Sequence, residues 1–293
     1  MACAESWRRM RPLSNSARRA RPLLGTIVEI RLPGACPNGL GAAFDAAFDV
    51  IQRVHGLMSF HEQDSDVSRL NRLAHQQPIK VHPWTYRVLE TARCLWQTTG
   101  KLFDCTMAPL LIRAGYLPAL HRDEPFAGDM DDVQLLPDRF VRFSRPLCID
   151  LGGIAKGFAV DRAVDSLRDS KIAQGAVNAG GDLRLFGPLE EPVHVRDPRH
   201  PGTLRWLGNF SDISVATSAA YFSGKPFGSG SVTPIADPRR STLCDSSRSV
   251  TVLAKDCMIA DALTKPLMLT GDNGLSCLKD YRATAHVMER GAI

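Results

Sequence analysis

A run of twelve residues at positions 150–161, DLGGIAKGFAVD, constrains the fold of this chain more than any other feature. The apolar residues at 147–151 predict a strand that ends in two glycines, and apolar positions at helical spacing then predict a helix. Glycines at such a turn let a ligand approach the backbone, and the first N–H groups of the helix have no partners within it. Because Lys156 lies in that first turn, the pattern indicates a phosphate-binding turn. The alternative is a tight strand-to-helix connection with a solvated lysine.

The same run lacks the spacing of two common phosphate-binding motifs. Lys156 is followed by Gly157 rather than by Ser or Thr, so the run is not a P-loop. It does not contain the G-x-G-x-x-G pattern of dinucleotide-binding turns either. The ligand therefore has to be inferred from other segments of the chain.

The charge of the chain is concentrated at its N-terminus. Six arginines and one glutamate within residues 1–21 account for the formal net charge of +5, so the remaining residues are balanced. A balanced body lacks the electrostatic footprint of a nucleic-acid-binding protein. We interpret residues 1–20 as a basic, disordered arm, with a transit peptide as the alternative, and residues 21–293 as a single domain.

Composition also bears on the compartment. The chain contains no apolar run long enough to predict a transmembrane helix, and its N-terminus lacks the apolar segment of a secretory signal. The eight cysteines show no C-x-x-C spacing, which favours reduced and mostly buried thiols. These patterns predict a cytoplasmic location.

Hydrophobic periodicity predicts a mixture of helices and strands. Helices are expected at 39–57, 82–98 and 258–269, and strands at 175–178, 182–186, 192–196, 213–217, 249–253 and 283–288. Residues 117–146, rich in Asp, Pro and Gly, predict an irregular excursion. Two Asp-Pro-Arg segments, at 197–199 and 237–239, indicate two similar turns. Because strands and helices do not alternate strictly, the predicted class is α+β with layered sheets and helices.

The run at 150–161 resembles the D-L-G-G-I-A-K-G-Y-A-V-D motif of the ApbE-type FAD:protein FMN transferases. Further segments resemble other motifs of that family in the same order. They are GTIV at 25–28, MSFH at 58–61, SDVSRLN at 65–71, GKLFDCT at 100–106, NAGGDLR at 178–184, ATS at 216–218, SVTV at 249–252 and ADAL at 260–263. Together they span roughly residues 22–271. The chain is therefore identified as a divergent member of this family.

The resemblance implies a fold of two related subdomains and a flavin transfer reaction. A threonine hydroxyl of a partner flavoprotein attacks the pyrophosphate of FAD, FMN is transferred, and AMP leaves. Mg²⁺ is the implied cofactor, since a divalent cation neutralises charge in phosphoryl chemistry. The positions that match the nucleotide-binding motifs are Met58, Phe60, His61, Phe103, Asp104, Asp150, Gly152, Lys156, Thr217 and Ser218. At His61 the family carries a tyrosine, although an imidazole can also stack on an aromatic ligand.

The implied metal site contains one departure from the family pattern. The metal ligands would be the Gly153 carbonyl, Asp261 and a threonine four residues later, where this chain has Lys265. An ammonium cannot ligate Mg²⁺, so the neighbouring Thr264 is the remaining candidate. Asp261 and Lys265 could instead form an ordinary ion pair on a helix surface. The sharper hypothesis is that the Lys265 ammonium supplies the charge that a metal supplies elsewhere.

A second departure concerns proton transfer. Pro234 stands where the family typically has a histidine, and proline has no proton chemistry. Asp237 is the nearest candidate for a proton acceptor, although an aspartate before Pro238 is also typical of a turn. Two functions besides transfer therefore stay open at this point: an FAD-binding protein without transfer activity, and an FAD pyrophosphatase in which water is the nucleophile.

Overall fold

The structure is a computed structural model that describes residues 16–34, 39–119, 128–200, 202–219, 225–227, 230–244, 248–271 and 275–289. The helices are α1 (Leu40–Met58), α2 (Asp66–Leu73), α3 (Pro83–Thr98), α4 (Ala108–Arg113), α5 (Ala155–Asp169) and α6 (Cys257–Thr270). The first strands are β1 (Ser16–Leu23), β2 (Thr26–Pro33), β3 (Ile79–Lys80), β4 (Val133–Leu136), β5 (Phe140–Phe143), β6 (Gly175–Ala179), β7 (Asp182–Phe186) and β8 (Glu191–Arg196). The later strands are β9 (Leu204–Phe210), β10 (Ser214–Ala219), β11 (Lys225–Phe227), β12 (Gly230–Val232), β13 (Ala236–Asp237), β14 (Thr242–Leu243), β15 (Arg248–Ala254) and β16 (Thr284–Glu289).

A seven-stranded antiparallel sheet in the order β1-β2-β6-β7-β10-β15-β16 forms the centre of the fold. Alternate residues of its strands enter two different hydrophobic clusters. In β6, for example, Val177 packs in the larger cluster together with α1, α5 and α6, whereas Ala176 packs in a smaller one with the β8–β9 hairpin. Successive side chains of a strand point to opposite faces, so the sheet is covered on both sides. The α+β class is confirmed.

Helices α5 and α6 pack closely at Gly157. A Cβ atom at that position would lie 2.3 Å from the backbone carbonyl oxygen of Cys257. Each helix also supplies a carboxylate to the other. Asp161 of α5 accepts the N–H groups of Cys257 and Met258 at the start of α6, and Asp261 of α6 accepts the Gly157 N–H at 3.0 Å. The two helices therefore cap one another, which fixes the position of the turn before α5.

The segment before the glycine turn is buried but is not a strand. Residues 147–151, predicted as a strand, form no ladder, although Ile149 is fully buried. The side-chain amide of Asn71 takes the place of a neighbouring strand, donating to the Ile149 carbonyl and accepting from its N–H, both at 2.9 Å. The apolar pattern predicted burial correctly, but such a pattern cannot identify the group that pairs with the backbone.

The other sequence predictions have mixed outcomes. The predicted helices at 39–57, 82–98 and 258–269 are confirmed within two residues as α1, α3 and α6. Residues 16–20, assigned to the basic arm, lie in β1, which pairs with β2 along its whole length. Residues 1–15 lie outside the described residues. The excursion at 117–146 contains the paired strands β4 and β5, and the sequence patterns gave no indication of β9.

Two further findings concern membranes and thiols. None of the helices that the structure describes combines the length and the apolarity needed to cross a bilayer. The cysteines within the described ranges form no disulfide, and four of these six side chains are buried.

Candidate functional site

A cavity of about 390 Å³ opens at one end of the central sheet, beside the glycine turn. Its walls differ in character. One wall is apolar and consists of Met107, Leu111, Tyr116, Leu117 and Ile235. Charged side chains also line the cavity, namely Asp104, Asp150, Lys156, Asp182 and Lys265. A cavity of this size with an apolar wall and a few convergent polar groups is typical of a small-molecule or cofactor site.

Lys156 is held in the first turn of α5 by two carboxylates of the protein. Its ammonium donates to Asp182 and lies 3.5 Å from Oδ2 of Asp261. Burial by itself would lower the pKa of Lys156, but the two carboxylates outweigh burial and raise it above its ordinary value. The lysine that is unfavourable at a helix N-terminus is thus stabilised by Asp182 and Asp261. Asp182 belongs to the NAGGDLR segment at 178–184 but was not among the predicted site residues.

The pKa values of the two carboxylates beside Lys156 are shifted in opposite directions. Burial raises the pKa of Asp182, and the nearby charge of Asp261 adds to this effect. Burial opposes ionisation of Asp261 as well, but Lys156 and Lys265 outweigh it, so the pKa of Asp261 lies below its ordinary value. Asp261 also accepts the Gly157 N–H, which favours its charged form. Asp261 is therefore a buried anion whose charge is compensated entirely by the protein.

Lys265 joins the same cluster from α6. Its ammonium donates to the carbonyl oxygen of Asp261 at 2.8 Å and to Oδ1 of the Asp261 carboxylate. Its side chain also passes the glycine turn, because a Cβ at Gly153 would lie 3.4 Å from the Lys265 Cε atom. Asp261 is only 1% exposed. This pair therefore lies in the cavity wall and is not an ordinary ion pair on a helix surface.

The residues predicted to hold Mg²⁺ do not fit a divalent cation. Both carboxylate oxygens of Asp261 accept from N–H groups, and Lys265 lies between that carboxylate and Gly153. The hydroxyl of Thr264 donates to the Asp261 carbonyl at 2.6 Å and pairs with Ser218 at 2.7 Å, and Thr264 is fully buried. No group of three or more His, Cys, Asp or Glu side chains within the described ranges could hold a metal ion together. Magnesium prefers several oxygen ligands, and this donor set does not offer them.

Five of the predicted nucleotide-contacting residues line the cavity from segments before or at the start of α5. They are Phe103, Asp104, Asp150, Gly152 and Lys156. Asp104 accepts both the N–H and the hydroxyl of Thr106 on Oδ1, at 2.7 Å each. Burial raises the pKa of Asp104 and that of Asp150. Gly152 donates its N–H to Asp150 at 3.1 Å, which holds that carboxylate against the glycine turn.

Thr217 and Ser218 line the cavity from the end of β10, and Gly153 lines it from the glycine turn. The hydroxyl of Thr217 lies 2.9 Å from that of Thr251 on the neighbouring strand β15. The hydroxyl of Ser218 lies 2.7 Å from that of Thr264 on α6. The first pair joins two strands of the central sheet, and the second attaches the end of β10 to α6.

The structure does not bring every predicted site residue to the cavity. Met58 and Phe60 are buried in the main hydrophobic core, because the C-terminal end of α1 packs there. His61 is exposed, and its N–H donates to the hydroxyl of Ser59. None of these three side chains lines the cavity, so their predicted contact with a flavin stays a prediction.

Asp237 also lies outside the cavity lining. Its carboxylate accepts two hydrogen bonds from the Arg239 guanidinium, at 3.0 and 2.9 Å, and these bonds lower its pKa. Asp197 and Arg199 repeat this geometry in the other Asp-Pro-Arg segment, which confirms the interpretation of two similar turns. A carboxylate with a lowered pKa is a poor proton acceptor. The geometry therefore supports the interpretation of Asp237 as a turn residue and not as a proton acceptor.

The apolar wall was not predicted from the sequence. Its side chains come from residues 107–117, which include α4, and from the segment before β13, and these two stretches are far apart along the chain. The hydroxyl of Tyr116 donates to the carbonyl of Val232 at 2.6 Å, which attaches the turn after α4 to the end of β12. No short motif carries this arrangement, since only the tertiary fold brings the segments together.

The fold is shared with solved flavin transferases. The ApbE protein of Thermotoga maritima superposes with a TM-score of 0.84 at 25% sequence identity, over 95% of this chain and 96% of that one. Among curated proteins, the FAD:protein FMN transferase of Vibrio cholerae is 27% identical over 242 residues, 76% of this chain and 72% of that protein. The protein of the same name from Klebsiella pneumoniae is 26% identical over 254 residues, 79% and 77% of the two chains. The sequence model of the ApbE family matches residues 24–288, and the chain belongs to that family.

Proposed function

We propose that this chain is an FAD:protein FMN transferase, which moves FMN from FAD to a threonine hydroxyl of an acceptor flavoprotein and releases AMP. The observation that carries the proposal is the cavity beside the α5 N-terminus, which both apolar and charged side chains line, in a chain whose curated relatives bear that name. An apolar wall suits the flat aromatic rings of a flavin or an adenine. The two lysines of the lining, Lys156 and Lys265, suit the negative charge of the FAD pyrophosphate.

Binding of FAD relies on both the apolar and the charged residues that line the cavity. Tyr116 and Leu117 provide a surface for one ring system, while the carboxylate of Asp104 accepts hydrogen bonds from ring or ribose donors. Lys156 and Lys265 supply positive charge to the phosphates from the same cavity lining. Because Lys156 is already bonded to Asp182, it acts from a fixed position and loses little conformational entropy on binding.

The transfer step needs one proton acceptor. The threonine oxygen forms a bond to the phosphorus of the FMN half, the P–O bond to AMP breaks, and the hydroxyl proton leaves the threonine. We assign this role to Asp150, which lines the cavity in the glycine turn and whose pKa burial raises above its ordinary value. Asp150→Asn should therefore lower the rate of transfer about a hundredfold at saturating FAD.

Magnesium has no assigned step in this proposal. The family resemblance implies the ion, but the Asp261 carboxylate and Thr264 do not form an open set of oxygen ligands. The cytoplasmic location and the threonine of the acceptor likewise stay predictions of the sequence.

The proposal is tested by following flavin into protein. The purified chain is incubated with FAD and a flavin-depleted extract of the source cells. Proteins that acquire covalent flavin fluorescence are digested, and the modified residue is identified by mass spectrometry. We expect the mass of FMN on a threonine and stoichiometric release of AMP. Lys156→Met should abolish both, whereas Lys279→Met, at an exposed lysine outside the cavity lining, should change neither.

Two other results would assign a different function. AMP and free FMN released from FAD without any acceptor would identify a pyrophosphatase. Tight FAD binding with neither AMP release nor labelled protein would identify a flavin-binding protein without transfer activity. Either result would overturn the proposed transfer.

A further inference from the structure

The ammonium of Lys265 occupies a defined place in the cavity wall. Two acceptors of one residue hold it, the carbonyl oxygen of Asp261 at 2.8 Å and Oδ1 of the Asp261 carboxylate. Its side chain runs beside Gly153, so the ammonium is anchored next to the glycine turn. The lysine side chain is only 19% exposed, and that of Asp261 is 1% exposed. This is a positioned cation and not a mobile surface lysine.

The hydrogen bonds of this ammonium leave it able to bind an anion. A lysine ammonium carries three N–H donors and no acceptor. Two of the three are directed at Asp261, and Lys265 also lines the cavity. The third donor is therefore available to an oxygen atom of a ligand. A hydrogen bond between an ammonium and a phosphate oxygen is charge-assisted and stronger than a neutral one.

The same contacts exclude a divalent metal ion from Asp261. Oδ2 of Asp261 accepts from the Gly157 N–H and lies near Lys156, and Oδ1 accepts from Lys265. A metal ion would have to displace the Lys265 ammonium from a buried carboxylate and leave two like charges in contact. Like charges at that distance in a partly desolvated site repel strongly.

We infer that Lys265 is the cation that contacts the phosphates of FAD in this chain, and that FAD binding here does not require a divalent metal ion. The inference rests on the proposed function in one respect, namely that FAD is the nucleotide bound. An ammonium carries a single positive charge, whereas Mg²⁺ carries two. The cost of this arrangement is weaker neutralisation of the pyrophosphate, and its consequence is binding that does not respond to chelators.

The substitution Lys265→Thr should create a site for a divalent cation, which the native residues do not offer. It removes the ammonium from Oδ1 and from the carbonyl oxygen of Asp261, and it places a hydroxyl one helical turn away on the same face of α6. Oδ1 of Asp261 then becomes available, together with the new hydroxyl, as a ligand for a hard cation. Lys265→Met removes the ammonium without offering an oxygen, which makes it the matched comparison.

The experiment is a titration with FAD, followed by flavin fluorescence, in excess MgCl₂ and again in excess EDTA. We expect the wild-type Kd to agree within about twofold between the two conditions. Lys265→Met should raise the Kd about tenfold or more in both conditions. Lys265→Thr should bind weakly in EDTA and recover in MgCl₂. Lys279→Met, an exposed lysine, serves as the control for loss of charge elsewhere. A titration of the wild type with Mn²⁺ alone, followed by electron paramagnetic resonance, should show no bound ion.

The outcomes separate this inference from the proposed function. Wild-type FAD binding that EDTA abolishes, or Mn²⁺ bound tightly by the wild type, would overturn the inference while leaving FMN transfer intact. EDTA-indifferent binding without any FMN transfer would support the inference and refute the proposed function. Absence of FAD binding in both conditions would refute both. The two wild-type measurements decide the matter even if a Lys265 variant does not fold.

Discussion

The contact between α5 and α6 makes a strong prediction about Gly157. In Gly157→Ala, the new Cβ would lie 2.3 Å from the carbonyl oxygen of Cys257 and 2.8 Å from Cα of Met258. These are backbone atoms, so no side chain can rotate away, and the helices must separate by roughly 1 Å to reach ordinary contact. Overpacking of this kind costs about 1–3 kcal/mol, while alanine regains about 1 kcal/mol of helix propensity. We expect a net loss of up to about 2 kcal/mol in the free energy of unfolding.

The assay is urea unfolding followed by circular dichroism, with Gly56→Ala as the control. Gly56 lies in α1, and a Cβ there would meet no atom within 4 Å. This variant should be more stable than the wild type by about 0.5–1 kcal/mol, because alanine reduces the entropy lost on folding. The Gly157 variant should also bind FAD more weakly, since α5 carries Lys156 and α6 carries Lys265.

Two results would refute this reasoning. A Gly157→Ala protein at least as stable as the wild type would show that the helices do not approach as closely as the structure places them. An equal loss of stability in Gly56→Ala would show that helical glycines in this chain matter for a reason other than interhelical contact.

Three further predictions follow from other contacts. Burial raises the pKa of Asp161 to about 6 from 3.8, so its contribution to the free energy of unfolding should fall as the pH rises from about 4 to 6. Asp161→Asn should remove that fall in urea unfolding measured across this pH range. Asn71→Ala should cost about 2–4 kcal/mol by the same assay, because it removes both side-chain bonds to the buried backbone of Ile149. Asp237→Asn should slow FMN transfer no more than Asp197→Asn does, because neither carboxylate lines the cavity.

Each of these predictions has a distinct contradicting result. An unchanged pH profile in Asp161→Asn would place the titrating group elsewhere. The exposed Asn209→Ala should stay within about 0.5 kcal/mol of the wild type, and an equal loss there would make the Asn71 result unspecific. Loss of transfer in Asp237→Asn alone would restore that residue as the proton acceptor.

Much of the fold was readable from periodicity. The helices α1, α3 and α6 and the strand β7 were predicted within two residues, because long amphipathic patterns and short apolar runs report burial directly. The segment at 147–151 shows the limit of that signal. Its apolar residues predicted burial correctly, but the partner of its backbone is Asn71, a side chain from 78 positions away along the chain. A local pattern cannot identify a distant hydrogen-bond partner.

The candidate site, too, was predictable from the sequence only in part. The glycine turn, Lys156 and the departure at Lys265 were evident in the sequence, since glycine spacing and charge are properties of single positions. The sequence left open whether Lys265 forms a surface ion pair, and only the burial of Asp261 places that pair in a cavity wall. The apolar wall and the exclusion of Asp237 were likewise decided by tertiary structure. Residue types determine which chemistry is possible, whereas burial and distance between remote segments determine which groups meet.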